Sequence, residues 1–352
     1  MTVAPWMWAA FSAVVLGLLA LDLGVFNRKD HVPSTREALG WSAGWVTVAA
    51  LFGLGVARFL GRDAALAFAT GYLVEEALSV DNLFVFLVLF SYFRVPDAFK
   101  HRVLFWGILG ALVMRGVMIA AGAALLHRFE WLLYVFGAFL LFTAARMAFG
   151  GGDHVDPEHN PVLKLVRRAI PVTDGYRGHH FFVREPAPGG GPLRLWATPL
   201  FVVLVLVETT DLVFAVDSIP AVFGVTRDPF IVYTSNVFAI LGLRSLFFVL
   251  SHVMERFHLL RFGLAGVLAF VGGKMLLGER WHVPMGWSLA VIAAMLGAAM
   301  AASLLIPAKP GAAGPGGPVH VDTPDRAEPV TAEERAVPNG AEPPVSAGRR
   351  LG

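Results

Sequence analysis

The 352-residue sequence contains no cysteine. Disulfides, thiolate metal sites, iron-sulfur clusters and cysteine nucleophiles are therefore excluded, while the compartment stays open. Charge is scarce as well: 15% of residues are charged and 56% hydrophobic, with a mean hydropathy of +0.65, against about 25% charged in soluble domains. That composition excludes an ordinary globular enzyme. No Walker loop or dinucleotide fingerprint occurs, and the spans carrying acids lack the Gly-x-Gly-Asp pattern of intramembrane aspartyl proteases. Nucleotide hydrolysis, dehydrogenase chemistry and that proteolysis thus have no carrier, and no enzymatic activity is expected. A net charge of +2 is too small to suggest nucleic acid, and a pI near 9.0 needs only the loop arginines of a membrane protein.

What is present is apolar length. Stretches able to cross about 30 Å of hydrocarbon lie near residues 6–26, 39–59, 66–93, 102–126, 131–149, 198–224, 230–251, 259–277 and 284–306. This predicts an all-α polytopic membrane protein of about nine transmembrane helices over residues 1–306, with a connecting loop at 150–197. The first span has no basic residue before it and Arg28 and Lys29 after it, the reverse of a cleavable signal peptide, so it is expected to stay as an anchor. Basic residues then sort by side. Arg28, Lys29, Arg36, Arg94, Lys100, Arg102, Arg146, Arg256, Arg261 and the basic residues of the long loop share one side; Arg58, Arg62, Arg128, Arg227, Lys274 and Arg280 share the other. The positive-inside rule places the first set and the C-terminus in the cytoplasm and the N-terminus outside. Residues 307–352, rich in Pro, Gly and Ala without apolar periodicity, read as a disordered cytoplasmic tail.

Two spans break the hydrophobic rule. The third carries Glu75, Glu76, Asp81 and Asn82; the sixth carries Glu208, Asp211, Asp217 and Ser218. Six acids facing lipid would cost on the order of 15–20 kcal/mol, so they must face a polar interior or one another. Only Arg115 and Arg244 sit inside neighbouring spans, two cations against six anions, which calls for bound cations, protons or both. The donors are carboxylates, the Asn82 amide and the hydroxyls of Ser79, Thr209, Thr210 and Ser218, all oxygen. That set suits hard divalent ions such as Mn2+, Mg2+ or Ca2+. Glu75 and Asp81 lie about 240° apart around an ideal helix, as do Asp211 and Asp217, so one straight helix cannot aim them all at one ion. Either each acidic helix is surrounded on several sides, or it is interrupted near its acids, with Pro220 as a place for the break. Arg115 and Arg244 read as counter-charges orienting the acids, because a guanidinium stays protonated and repels a bound cation.

The two acidic motifs are related. Glu75-x-x-x-x-Val80-Asp81-Asn82 and Asp211-x-x-x-x-Val216-Asp217-Ser218 superpose, Arg115 matches Arg244, and the pair Arg128, Arg146 matches Arg256, Lys274 at equal spacing. Units of about 66–149 and 198–277 each hold three spans. Adjacent odd-numbered units enter the membrane from opposite sides, the inverted-repeat plan of secondary transporters.

The segments Glu75 through Phe86 and Glu208 through Val225 resemble the signature stretches of the TerC family of integral membrane proteins (TerC/Alx-like, in the lysine-exporter superfamily). So do Asp22-Leu23-Gly24-Val25-Phe26 with Arg28 and Lys29, and the loop from Asp156 to Val183. The resemblance covers roughly residues 6–306. It implies a multi-pass protein of the bacterial inner membrane, linked to tellurium resistance by name and to manganese efflux through its functional neighbours. It also implies metal-site acids at Glu75, Asp81, Asp211 and Asp217, with Asn82, Glu208 and Ser218 beside them; Glu76 departs from the family pattern. The expected function is export of Mn2+ or a related hard divalent cation, coupled to proton entry, with the ion as cargo and no catalytic cofactor. The alternative is a metal-binding membrane scaffold serving envelope-stress defence or membrane-protein insertion, without flux. The expected partners are metal ions, protons and lipid, with room for an oligomer or membrane partner proteins. Asp153, His154, Asp156, Glu158, His159, His179 and His180 read as scattered charges of a solvated loop, Asp22 as a headgroup-level acid, and the tryptophans as interface anchors.

Overall fold

The computed structural model describes residues 4–21, 35–150, 161–186, 192–250, 259–277 and 283–306. Within them lie ten helices and one two-stranded sheet: α1 (Pro5–Leu21), α2 (Thr35–Phe59), α3 (Arg62–Tyr92), α4 (Asp97–Arg128), α5 (Leu132–Phe149), α6 (Pro161–Ala169), β1 (Phe182–Pro186), β2 (Leu193–Ala197), α7 (Pro199–Val225), α8 (Pro229–Leu250), α9 (Leu260–Leu277) and α10 (Met285–Leu305). Seven of them, α2, α4, α5 and α7–α10, are long and apolar enough to cross a membrane. The other two expected spans are helices as well, but α1 is only 17 residues long and α3 carries its acids in mid-helix. Asp22 with the motif following it, the 151–160 histidine-containing loop, Arg256 and the tail from 307 onward lie outside the described residues.

Local chemistry sets the helix ends. Pro96 holds an extended backbone ahead of α4, which opens on Asp97 and closes on His127 and Arg128, charges that complement the helix dipole. Pro199 starts α7, where a missing N–H costs nothing, after the extended Thr198. Pro220 falls inside α7, and the helix runs through it to Val225. The expected interruption at Pro220 is therefore absent, and the other arrangement holds: α3 and α7 are continuous helices packed on several sides, with Leu212, Val213 and Val216 of α7 left exposed. Helix α3 packs on α2, α7, α8, α9 and α10, and α7 on α3, α4, α5, α8 and α9.

The packing fixes direction. Val74, Ala77 and Leu78 of α3 share a core cluster with Ala215, Ile219 and Val222 of α7, whereas Leu83, Phe86 and Phe90 cluster with Leu200, Val203 and Leu206. So α3 and α7 are antiparallel. The same clusters pair Ile119 and Leu126 of α4 with the late part of α7 and Val103 and Leu104 with its early part, so α4 runs parallel to α7. Helix α8 is buried on nearly every side, while α2 and α10 expose most of their apolar residues, as lipid-facing helices do. An aromatic cluster of Phe11, Phe52, Phe68, Phe230 and Phe238 ties α1, α2, α3 and α8 together. The most extensive pairing is α5 with α9. There a Cβ at Gly272 would come to 2.8 Å from the Gly137 carbonyl oxygen, so the two backbones meet through glycines, the close approach that membrane helices use in place of a hydrophobic drive.

In the long loop, the described residues 161–186 and 192–197 carry more secondary structure than its turn-rich composition predicts. Helix α6 buries Leu163, and β1 and β2 form an antiparallel hairpin pairing Phe182 with Ala197 through Pro186 with Leu193. Tyr176 docks this segment on the bundle by donating its hydroxyl to the Phe93 carbonyl at 2.7 Å, and burial pushes that phenol up to about 12. Arg177 and Glu185 pair across the segment at 2.6 Å. Short strands with alternating mixed residues carry too weak a periodicity to stand out beside nine long apolar runs.

Candidate functional site: a buried carboxylate-arginine cluster

Four helices place a polar side chain within four residues of their own midpoints: Glu75 on α3, Arg115 on α4, Asp211 on α7 and Asn236 on α8. All are buried, at 0%, 1%, 4% and 0% exposure. Arg115 is the hub. Its Nε and Nη2 donate to the two oxygens of Asp211 at 3.1 and 2.8 Å, a bidentate pair, and Nη1 donates to the Asn236 side-chain oxygen at 2.9 Å. The same Nη1 forms an ion pair with Glu75 Oε1. A planar fork of five donors is the side chain that can satisfy two carboxylates and an amide from three other helices at once.

The cluster is not fully satisfied. Glu75 Oε2, Ser79 Oγ, Ser218 Oγ and Asn236 Nδ2 are buried without a hydrogen-bond partner. Glu75, Ser79 and Asn82 recur at four and seven residues on one face of α3, and Asp211 and Ser218 at seven on α7; all five are buried. Because the two helices are antiparallel, Ser79 and Asn82 lie on the hairpin side of Arg115, and Ser218 lies on the opposite side. Glu208, one turn before Asp211, also lies on the hairpin side. It is half-buried, and its carboxylate fills the notch above Gly110 of α4, where any Cβ would collide with it.

Asp217 stands apart from the hub. It lies about 9 Å further along α7 than Asp211, half-buried, and accepts a hydrogen bond from Thr143 of α5 at 3.2 Å, with Arg146 one turn on as the neighbouring positive charge. Arg244 is half-buried on α8 and borders a small cavity with Asp211, Gly107 and Leu243. Glu76 turns to α8, beside Gly242, with one oxygen buried and unpartnered. The side chain of Asp81 lies outside the described residues. Thr209 and Thr210 donate to the carbonyls of Val205 and Leu206 in their own helix, and neither is hydrogen-bonded to the Arg115 cluster.

Of the acids expected around one ion, the structure thus brings Glu75 and Asp211 together, on a guanidinium, and keeps Glu208 and Asp217 on opposite sides of them. Among the described residues, no group of three or more acids and histidines stands close enough to hold a metal ion. The physical reason is occupancy: Arg115 fills the space between Glu75 and Asp211. Sequence reasoning missed Asn236 and Thr143. An amide in the middle of an apolar span was a signal for Asn236; nothing distinguished Thr143 from a hydroxyl bonded to its own helix.

Long apolar helices enclosing an ion-paired polar cluster define a multi-pass integral membrane protein. Residues 60–310 match the Integral membrane protein TerC family, and the chain belongs to that family. It is 53% identical over 302 residues to a Myxococcus xanthus protein named uncharacterized membrane protein STKORF319, covering 86% of this chain and 93% of that one. It is 49% identical over 301 residues to Alx of Salmonella typhi, whose provisional name is membrane-bound redox modulator, covering 83% and 92%. Alx of Escherichia coli K12 stands at 46% over 301 residues, with the same coverage. No solved structure matches the chain.

Proposed function

We infer that this chain is a transporter of the bacterial inner membrane that exports Mn2+ or a related hard divalent cation through its intramembrane carboxylates. In this reading it has no enzymatic activity. The carrying observation is the buried cluster of Glu75, Asp211 and Arg115 near the midpoints of the packed helices that supply it, with unpartnered polar atoms on both sides of it. Buried ionisable groups of this cost mark ion paths in membranes. The oxygen-only donor set and the excess of intramembrane acids over Arg115, Arg244 and Arg146 support a hard cation as substrate.

The antiparallel directions of α3 and α7 support two inverted three-helix units, α3–α5 and α7–α9, that rock about the midplane. Together with α1, α2 and α10 they make nine spans, N-terminus out and C-terminus in. The basic hairpin side is then cytoplasmic. Cargo enters past Asn82, Ser79 and Glu208, reaches Glu75 and Asp211, and leaves past Ser218 and Asp217. Carboxylates that release a metal ion take up protons, which couples export to proton entry. Redox modulation belongs to the name of Alx; this chain has no cysteine and so no thiol–disulfide couple of its own.

The test is Mn2+ flux in liposomes containing the full chain. Asp211→Asn and Asp217→Asn are expected to reduce flux at least tenfold, and unchanged flux in both would sink the reading. A second reading, a metal-binding membrane scaffold, is favoured by the hairpin face that exposes Phe182, Leu193 and Leu195. It expects metal binding with no flux, and a phenotype that follows the loop instead of the carboxylates.

A further inference from the structure

We propose that Arg115 is a tethered stand-in cation: it holds the Glu75 and Asp211 carboxylates when no cargo is bound, and a divalent ion reaches the midplane only by displacing it. The inference rests on the transport reading for the identity of the cargo. Three observations carry it. The guanidinium already occupies the coordination positions that a cation would use, both oxygens of Asp211 and one of Glu75. Its single charge meets two carboxylates, so the pair keeps a net negative charge that a divalent ion would cancel. And the positions it leaves unserved, Glu75 Oε2 and the Ser79 hydroxyl one turn away, are buried oxygens of the type hard cations bind.

Displacement is forced by chemistry. A guanidinium does not give up its proton in a protein, so Arg115 cannot vacate the site by neutralising. It must move, and while it stays it repels the incoming ion. In the arginine-bound state the two sides of the polar path are thus separated by a protein-borne charge, which keeps the empty carrier closed to ion leak. A lysine would serve less well, since a point charge lacks the bidentate hold on Asp211.

The experiment uses the full chain in lipid nanodiscs, titrated with Mn2+ while free Mn2+ is followed by its electron paramagnetic resonance signal, alongside flux in liposomes. Arg115→Gln is expected to bind Mn2+ at least tenfold more tightly than the wild type and to pass it more slowly. Arg115→Lys should fall in between, and adding Asp211→Asn to either should abolish the gain. Arg115→Lys decides the matter if Arg115→Gln does not yield monodisperse protein. Wild-type flux with no gain in affinity on substitution overturns the exchange and leaves the transport reading standing. Tighter binding by the variants without wild-type flux overturns transport and leaves the exchange. No binding of Mn2+, Mg2+ or Ca2+ by any variant overturns both.

Discussion

The Asp211 and Asp217 carboxylates sit on the same helix, six residues apart within one motif, and their surroundings differ in kind. Asp211 is sealed among four helices and held by a bidentate guanidinium; Asp217 is half-buried, touched by one hydroxyl and neighboured by Arg146 near the end of α5. Burial makes the counter-charge of Asp211 a structural requirement, because an unpaired charge there has no water to turn to. Asp217 keeps freedom to change partner. The comparison teaches that two acids of one motif need not be equivalent: Asp211 is fixed by a bidentate guanidinium, whereas Asp217 is held by one hydroxyl.

The largest expected break of this contrast is Arg115→Met. It strands two buried carboxylates, and a loss of about 3–5 kcal/mol is expected, read as a fall in the unfolding midpoint of detergent-solubilised protein. Next comes Gly272→Leu, which drives a side chain into the Gly137 carbonyl and should cost about 1–3 kcal/mol by overpacking. It should also shift α5 and Thr143 away from Asp217 while the Arg115 cluster keeps its geometry, a difference that cysteine cross-linking in this cysteine-free chain would resolve.

The paired substitutions Asp211→Asn and Asp217→Asn sharpen the comparison directly. The first weakens a buried charge-assisted pair and should lower stability by about 1.5–3 kcal/mol; the second weakens one hydrogen bond from Thr143 and should lower it by about 1 kcal/mol or less, while the proposed transport expects both to reduce flux. Equal losses of stability would erase the distinction. A similarly small and local effect is expected for Tyr176→Phe, about 0.5–1.5 kcal/mol for one hydrogen bond, seen as faster proteolysis of the loop. Because burial raises the Tyr176 phenol to about 12, its contribution is whole below the ordinary tyrosine pKa of about 10 and disappears as pH rises through about 12.

Much of this architecture is legible in the chain. The predicted stretch 198–224 became α7 over Pro199–Val225, and 131–149 became α5 over Leu132–Phe149, because hydrocarbon thickness demands a length that a reader can count. The acids are legible for the same reason: in apolar surroundings a carboxylate is conspicuous. Asn236 and Thr143 as partners are not, since each depends on which face of a second helix turns toward the site. The hairpin is not legible either, and Pro220 misled, because neighbouring helices held α7 continuous where its own sequence suggested a break.

By itself the sequence determined that this protein lives in a membrane, that its apolar spans carry more acids than bases, and that Arg115 lies mid-span among them. Only the tertiary structure decided that Arg115 joins Glu75 to Asp211 and leaves Asp217 to Thr143. Composition and periodicity are properties of single segments and survive in the string. Which charges meet is settled by how α3, α4, α7 and α8 pack against one another, and at that level a displacement of one turn, about 5.4 Å, exchanges one partner for another.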